Sequence, residues 1–545
     1  MVSRVFQFRT TVALTLLAVS SVVCSAQIRT TASVESVQTR VERLISEGVS
    51  LFEQNESDKA KASFEQALAL KPDEIRAYTY LGILADQRGD LVEAEKRFRK
   101  AVKLAPDSAS AHNNFGAVLL KLNRAKEAAA EFESSLRLDS NQSNALVNLA
   151  QILSARGTQE DVHKARELFV RAYAIQPDVQ VARGVVVLSL KLQDPTTAAQ
   201  FFEQYSKQLT SSESSIPSAA HMELGIALLE GGLTRQAVSE LNSVVSSDPA
   251  NADAVVQLAK AQMEMKDWPA AGRTLEGAVA RGLNAAPIYA ELASVYEQSG
   301  HIDHAIPAMR LAIERDPQSE RYRFSYGLLL INAFAPDAAV IRLKEALELF
   351  PKSARLWLAL GIAHYKAGRN DEAAKSMLRS IELDPNFAPA YAYLGMTSFE
   401  VGQYDDALKR YEQALAINKN LGVVEYLAAE VLQKQGSQDF SLMESHLSQA
   451  VKLEPGFAPA RLALGKLYLR NERLPEALSE FEQAIKLDPN LAEAYYQIGR
   501  VYTKLKRTAE AQTALATFKR LNDSQKEQGQ EARKDIVRRL ADVLF

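Results

Sequence analysis

The chain has 545 residues, 47% hydrophobic and 24% charged, and 64 Lys+Arg against 67 Asp+Glu leave a net charge of −3. These shares are ordinary for globular proteins and exclude wholesale disorder, a collagen and a polytopic membrane protein. The balanced charge gives no sign of a nucleic-acid partner, and the length suggests three or four domains unless the chain is a repeat array.

Residues 1–26 have the three parts of a secretory signal peptide. Arg4 and Arg9 give a positive start, and Val12 to Val23 is apolar apart from Thr15, Ser20 and Ser21. Cys24, Ser25 and Ala26 supply small residues, with the cut expected after Ala26. The apolar core is shorter than the roughly 20 residues of a spanning helix. The uncharged stretch from Thr10 to Ile28 leaves an N-terminal membrane anchor as the alternative. The sole cysteine, Cys24, lies in this leader, so a mature chain has no disulfide, no cysteine nucleophile and no thiolate metal site. The expected location is periplasmic or secreted.

A lead-in at 27–40 is followed by one pattern that fills the chain. Pro72 and Pro106 are 34 residues apart, as are Pro351 and Pro385, and Pro455 and Pro489. Similar phrases precede them: "FRKAVKLAP" ends at Pro106, "MLRSIELDP" at Pro385 and "FEQAIKLDP" at Pro489. Upstream stand a Leu-Gly pair, a small residue and a large one. Gly82, Ala94 and Pro106 recur as Gly361, Ala373 and Pro385, and again as Gly465, Ala477 and Pro489. Gly395 and Ala407 mark the same places in another copy. Starts fall near Val41, Ile75, Ala109, Ser143, Gln180, Ser218, Ala252, Ala286, Glu320, Ala354, Ala388, Gly422, Ala458 and Ala492.

Within each copy, apolar residues at helical spacing predict two amphipathic helices of about 14 residues. Tyr391, Leu394, Gly395 and Ser398 mark the first helix of one copy, and Ala407, Tyr411 and Ala414 the second. The small residues let the two helices approach closely, and Tyr411 fills the remaining gap. Proline then stops one hairpin and starts the next.

This pattern resembles the tetratricopeptide repeat, W-x2-L-G-x2-Y…A-x3-F…P at 34 residues. The resemblance covers about 485 residues. It implies an all-α fold, a right-handed α-solenoid superhelix of about 14 helix-turn-helix units. Block 1 spans 41–205, with five repeats and a degenerate last one. A Ser-rich joint follows at 206–217, and block 2 spans 218–525 with nine repeats. At 526–545, Ile536, Leu540, Val543 and Leu544 form an apolar stripe among Arg533, Lys534, Arg538, Arg539 and Asp542. A capping helix over the last hydrophobic face is expected, with a partner-binding or membrane-surface helix as the alternative.

No phosphate-binding glycine loop, H-E-x-x-H or G-x-S-x-G occurs in the sequence. The expectation is no catalytic residue, no cofactor and no metal. His301 and His304 read as exposed turn residues, and His364 as a packed, hydrogen-bonded one.

In the family, positions 2, 5, 9, 12 and 13 of each first helix face a concave groove. Carried over, the resemblance gives an apolar wall of Phe324, Leu328, Ile331, Leu358, Ile362, Tyr365, Met396 and Phe399. It gives a basic end of Lys466, Arg470, Tyr496, Arg500 and Lys504. Such a groove suits a peptide or protein with hydrophobic anchors and an acidic end. The opposing possibility is that these side chains pack within a tightly wound array. The expected function is a non-catalytic scaffold of the cell envelope. The alternative is a component of polysaccharide export or cell-surface assembly that contacts glycan.

Overall fold

The computed structural model describes residues 36–211, 216–524 and Arg539. The signal peptide, most of the lead-in and the candidate capping helix lie outside the described residues, Arg539 excepted. The described residues form 28 α-helices and no strand, paired in order as fourteen antiparallel hairpins. Twelve of the fourteen starts named above are first residues of a helix, such as Ala388–Glu400 and Ala458–Arg470. The exceptions are Val37 in place of Val41 and Val179 in place of Gln180. Repeats are numbered one to fourteen below, with A and B for the two helices of each.

The chain divides into two compact units between Ser211 and Ser212. The first holds five hairpins and the second nine. Each is an α-solenoid in which every helix packs against its neighbours in the chain. Helix B of repeat five, Pro195–Ser211, includes six residues that the sequence suggests for the joint. Repeats four and twelve are longer than 34 residues: repeat four has a longer B helix, Gln159–Ile175, and repeat twelve a longer loop before Phe440–Leu453.

Three periodic devices build the hairpin. The first is the close approach of helix A to helix B. A Cβ placed on Gly395 would lie 2.6 Å from the Tyr411 ring, one on Gly465 2.6 Å from Phe481, and one on Gly82 2.8 Å from Phe98. Gly361 faces Met377 in the same way. Ala94, Ala373, Ala407 and Ala477, on the B side of the contact, are completely buried. At these four positions glycine leaves room for the large side chain it faces on helix B.

The second device is the turn. The fifteenth residue of every repeat adopts positive φ, from Asn55 in repeat one to Lys506 in repeat fourteen. Half of these residues are glycines, such as Gly402 at +79°. The others include Lys266 at +59° and Phe334 at +56°, which carry a side chain through a left-handed turn.

The third is the loop between hairpins. Proline ends helix B, and its carbonyl is left without a helical donor. The fourth residue of the next repeat supplies one. Tyr78 Oη donates to the Pro72 carbonyl at 3.1 Å, Trp357 Nε1 to Pro351 at 3.0 Å, and Tyr391 Oη to Pro385 at 3.2 Å. Arg323 does the same for Pro317 at 2.9 Å. In the Asp-Pro-Asn phrases the Asp384 carboxylate accepts from the Asn386 amide at 3.0 Å, closing the turn. The Pro106 carbonyl is met by the His112 ring.

Candidate functional site

The A helices of unit two carry the residues that the resemblance assigns to a groove. The structure separates them into two groups. Phe324, Leu328, Ile331, Leu358, Ile362 and Met396 are buried in one hydrophobic cluster that runs from repeat nine into repeat thirteen. Leu358 is 0% exposed. The expected open wall is therefore largely core. The reason is local: helix A of repeat nine, Glu320–Asn332, touches helix A of repeat ten, Ala354–Lys366, directly. Side chains on the A face meet the neighbouring helix there. Only Tyr365 and Phe399 keep partial exposure. The Tyr365 hydroxyl donates to Glu400 at 3.0 Å, and the Phe399 ring lies 5.5 Å from Tyr404.

The basic end stays open. Arg470, Tyr496, Arg500 and Lys504 are exposed on helices A of repeats thirteen and fourteen, Ala458–Arg470 and Ala492–Lys504. Tyr496 is 40% exposed and rests its ring 5.2 Å from Phe518. Arg470 stacks over Phe440 at 4.9 Å. Arg500 donates to Gln497 at 3.0 Å, and Lys504 stands 3.5 Å from Glu472. Lys466 is partly buried and ion-paired with Glu493. Weak, solvated pairs of this kind leave the cations available to a second carboxylate.

Repeat twelve adds a part that the sequence reading passed over. Tyr426 and Glu430 occupy its fifth and ninth positions on helix A, Gly422–Lys434. Burial pushes the Glu430 carboxyl above its usual value, against the opposing pull of Lys434 and Lys466. No described residue gives that carboxylate a hydrogen bond or ion pair. Burial and the adjacent Glu430 also push the Tyr426 hydroxyl up. The Tyr426 ring meets Phe457 edge-on at 5.2 Å. The position rule applied to repeats nine to eleven finds Tyr426 and Glu430 when extended to repeat twelve. Nothing in the sequence signals Phe457, which lies in a loop.

The histidines show no shared chemistry. His301, Asp303 and His304 bring one donor atom each within 4.8 Å of one another, all exposed on a single turn. His364 is buried as expected, but its Nδ1 has no hydrogen-bond partner among the described residues. Burial, with Arg369 and Lys344 nearby, holds its pKa below the usual histidine value. His112 and His221 each pair with a glutamate of helix B in their own repeat, Glu131 at 2.6 Å and Glu240 at 2.7 Å. These contacts join the two helices of a hairpin. Among the described residues no helix is long and apolar enough to cross a membrane.

Paired helices, a left-handed fifteenth residue and an A face carrying exposed cations define a helical-hairpin repeat scaffold. Profiles described as tetratricopeptide repeat match residues 45–109, 93–143, 228–290, 286–319, 330–395, 388–421 and 492–524, and one described as TPR repeat matches 468–506. The chain belongs to the tetratricopeptide repeat family. Proteins of this family bind protein or peptide partners and are generally non-catalytic. No curated protein matches the chain. Among solved structures, the APC/C hetero-tetramer Cut9-Hcn1 is 15% identical over 85% of this chain and 97% of that one, with a TM-score of 0.39. YrrB, described as a TPR protein with an unusual peptide-binding site, is 23% identical over 35% of this chain and 96% of that one, with a TM-score of 0.30. MamA from Desulfovibrio magneticus RS-1 is 21% identical over 32% of this chain and 97% of that one, also at 0.30. At these TM-scores none of the likenesses bears on function.

Proposed function

We propose that the protein is an exported, non-catalytic scaffold that holds a protein or peptide partner along the A-helix face of its second unit. The observation that carries this reading is the exposed group Arg470, Tyr496, Arg500 and Lys504 on two successive A helices. Three cations and an aromatic residue exposed on two successive A helices favour an acidic segment with an apolar anchor. Partly exposed Tyr365 and Phe399 extend the face toward repeat ten. The leader at 1–26 motivates the exported location, in a bacterial periplasm or outside the cell. Reversing Arg470, Arg500 and Lys504 to Glu tests the binding face. Partner recovery after crosslinking in the host envelope is expected to fall at least tenfold, with helicity unchanged. Undiminished recovery refutes the assignment. N-terminal sequencing of the mature protein tests export: a start at Gln27 is expected, and a retained Met1 contradicts cleavage.

A further inference from the structure

Arg539 is the one described residue of the C-terminal segment, and it reaches back past the last repeat. Its Nη1 donates to Glu454 Oε2 at 3.0 Å, and its guanidinium lies 4.8 Å from the centre of the Phe457 ring. Both residues belong to the loop that joins repeat twelve to repeat thirteen, and Glu454 is 85 positions back along the chain. Glu454 is also tied from the other side. Its Oε1 accepts from the Val423 amide at 2.9 Å, at the start of helix A of repeat twelve. Phe457 in turn packs on Tyr426 of that helix. The arginine thus closes a small apolar and acidic site that ends on the A face of repeat twelve.

Reach and chemistry agree with this placement. Helix B of repeat fourteen, Thr508–Ser524, ends on the edge of the stack where every next A helix would begin. The fifteen residues from Ser524 to Arg539 reach about 22 Å as a helix and about 50 Å extended. Two hairpins therefore lie within range. Ile536 and Val543 stand three before and four after Arg539, and Leu540 adjoins it, so helical spacing groups them with the arginine. Arg533, Lys534 and Arg538 add positive charge. Across the contact stand Phe457 and Glu454, and Phe457 packs on Tyr426 of the helix that also carries Glu430. The tail's sequence is basic with apolar residues at helical spacing, and the residues that Arg539 touches are aromatic and acidic.

We propose that residues 525–545 are an intramolecular ligand, docked on repeats twelve and thirteen with Arg539 as the anchor. The tail occupies part of the same A face that the partner uses, so a partner must displace it. This regulatory consequence rests on the binding reading above, while the docking itself does not.

The experiment compares hydrogen exchange in the purified full chain with that of its Arg539→Glu variant, without any partner. Amides of residues 421–430 and 455–462 are expected to exchange at least tenfold faster in the variant, with repeats one to ten unchanged. A synthetic peptide of residues 525–545 is then added to each. It is expected to restore protection in the variant and to leave the native chain unaffected, whose site is already filled. A Glu454→Gln change, which keeps an acceptor for the Val423 amide, is expected to weaken the added peptide at least tenfold. Identical exchange in native and variant chains overturns the proposal, as does equal binding of the peptide to both. Since no partner is present, either result leaves the partner-binding reading standing. Failed partner capture by the Arg539→Glu variant, whose face is free of the tail, refutes only that reading.

Discussion

Substituting Gly395 by Ala tests the hairpin contact directly. The added Cβ would stand 2.6 Å from Tyr411 Cε1, 2.8 Å from Cδ1 and 3.2 Å from the Ala407 carbonyl. Carbon atoms prefer about 3.5–4.0 Å, so about 1 Å of separation is missing. Tyr411 is 0% exposed and cannot swing into solvent. Overpacking of this kind costs about 1–3 kcal/mol, and the helix propensity gained over glycine returns about 1 kcal/mol. The expected net loss is up to about 2 kcal/mol. Four repeats already carry Ala at this position, Ala150, Ala259, Ala293 and Ala429; the last three place Leu275, Met309 and Leu447 opposite in the sequence, and the first Phe169. Combining Gly395→Ala with Tyr411→Met is therefore expected to recover most of the loss. Repeat arrays need not unfold in one step, so the readout is exchange free energy of amides in repeat eleven. Equal or greater protection in Gly395→Ala refutes the contact.

Other substitutions have outcomes of different sign. Gly272 sits inside a helix where a Cβ would meet only Val295, at 3.7 Å, so Gly272→Ala is expected to stabilise repeat seven by about 0.5–1 kcal/mol in the same assay. Lys266 is exposed at φ +59°, and Lys266→Gly is expected to gain up to about 1 kcal/mol by removing left-handed strain; a loss contradicts the turn geometry. The buried Tyr411 hydroxyl has no partner among the described residues, so Tyr411→Phe is expected to be neutral or stabilising by about 1 kcal/mol, and a loss above that refutes the reading. The lowered pKa of His364 keeps it neutral when folded, while the unfolded chain protonates near the ordinary value of 6.5. Its repeat therefore loses stability as pH falls from 7.5 through the folded pKa. His364→Leu is expected to flatten that fall, and an unchanged pH profile contradicts it.

The repeat boundaries were legible because their signals are covalent and periodic: a Leu-Gly pair, a small residue and a proline at fixed spacing. The turns were half legible. Gly402 announces positive φ, whereas Lys266 and Phe334 adopt it under the pull of the two helices they join. The donor at the fourth position was visible as an aromatic consensus, but its target, the proline carbonyl, appears only in three dimensions. The binding face was the least legible part. Hydrophobic residues at Leu358, Ile362 and Met396 satisfy the groove rule and the core rule equally, and exposure depends on how closely successive A helices meet. The cations at Arg470, Arg500 and Lys504 had only one place to go, because burying unpaired charge is costly. The tail contact joins residues 85 positions apart through one arginine, with no periodicity to point at it.

Site-specific photo-crosslinking in living cells of the native host tests the binding face most directly. A photoreactive residue replaces Tyr496, which is 40% exposed on the basic face, or Val92, which is 74% exposed in the first unit. A discrete protein adduct is expected from position 496, diminished when Arg470 and Arg500 are reversed to Glu, and none of that size from position 92. The same adduct from both positions, or none from position 496, contradicts a partner held on the A helices of repeats thirteen and fourteen.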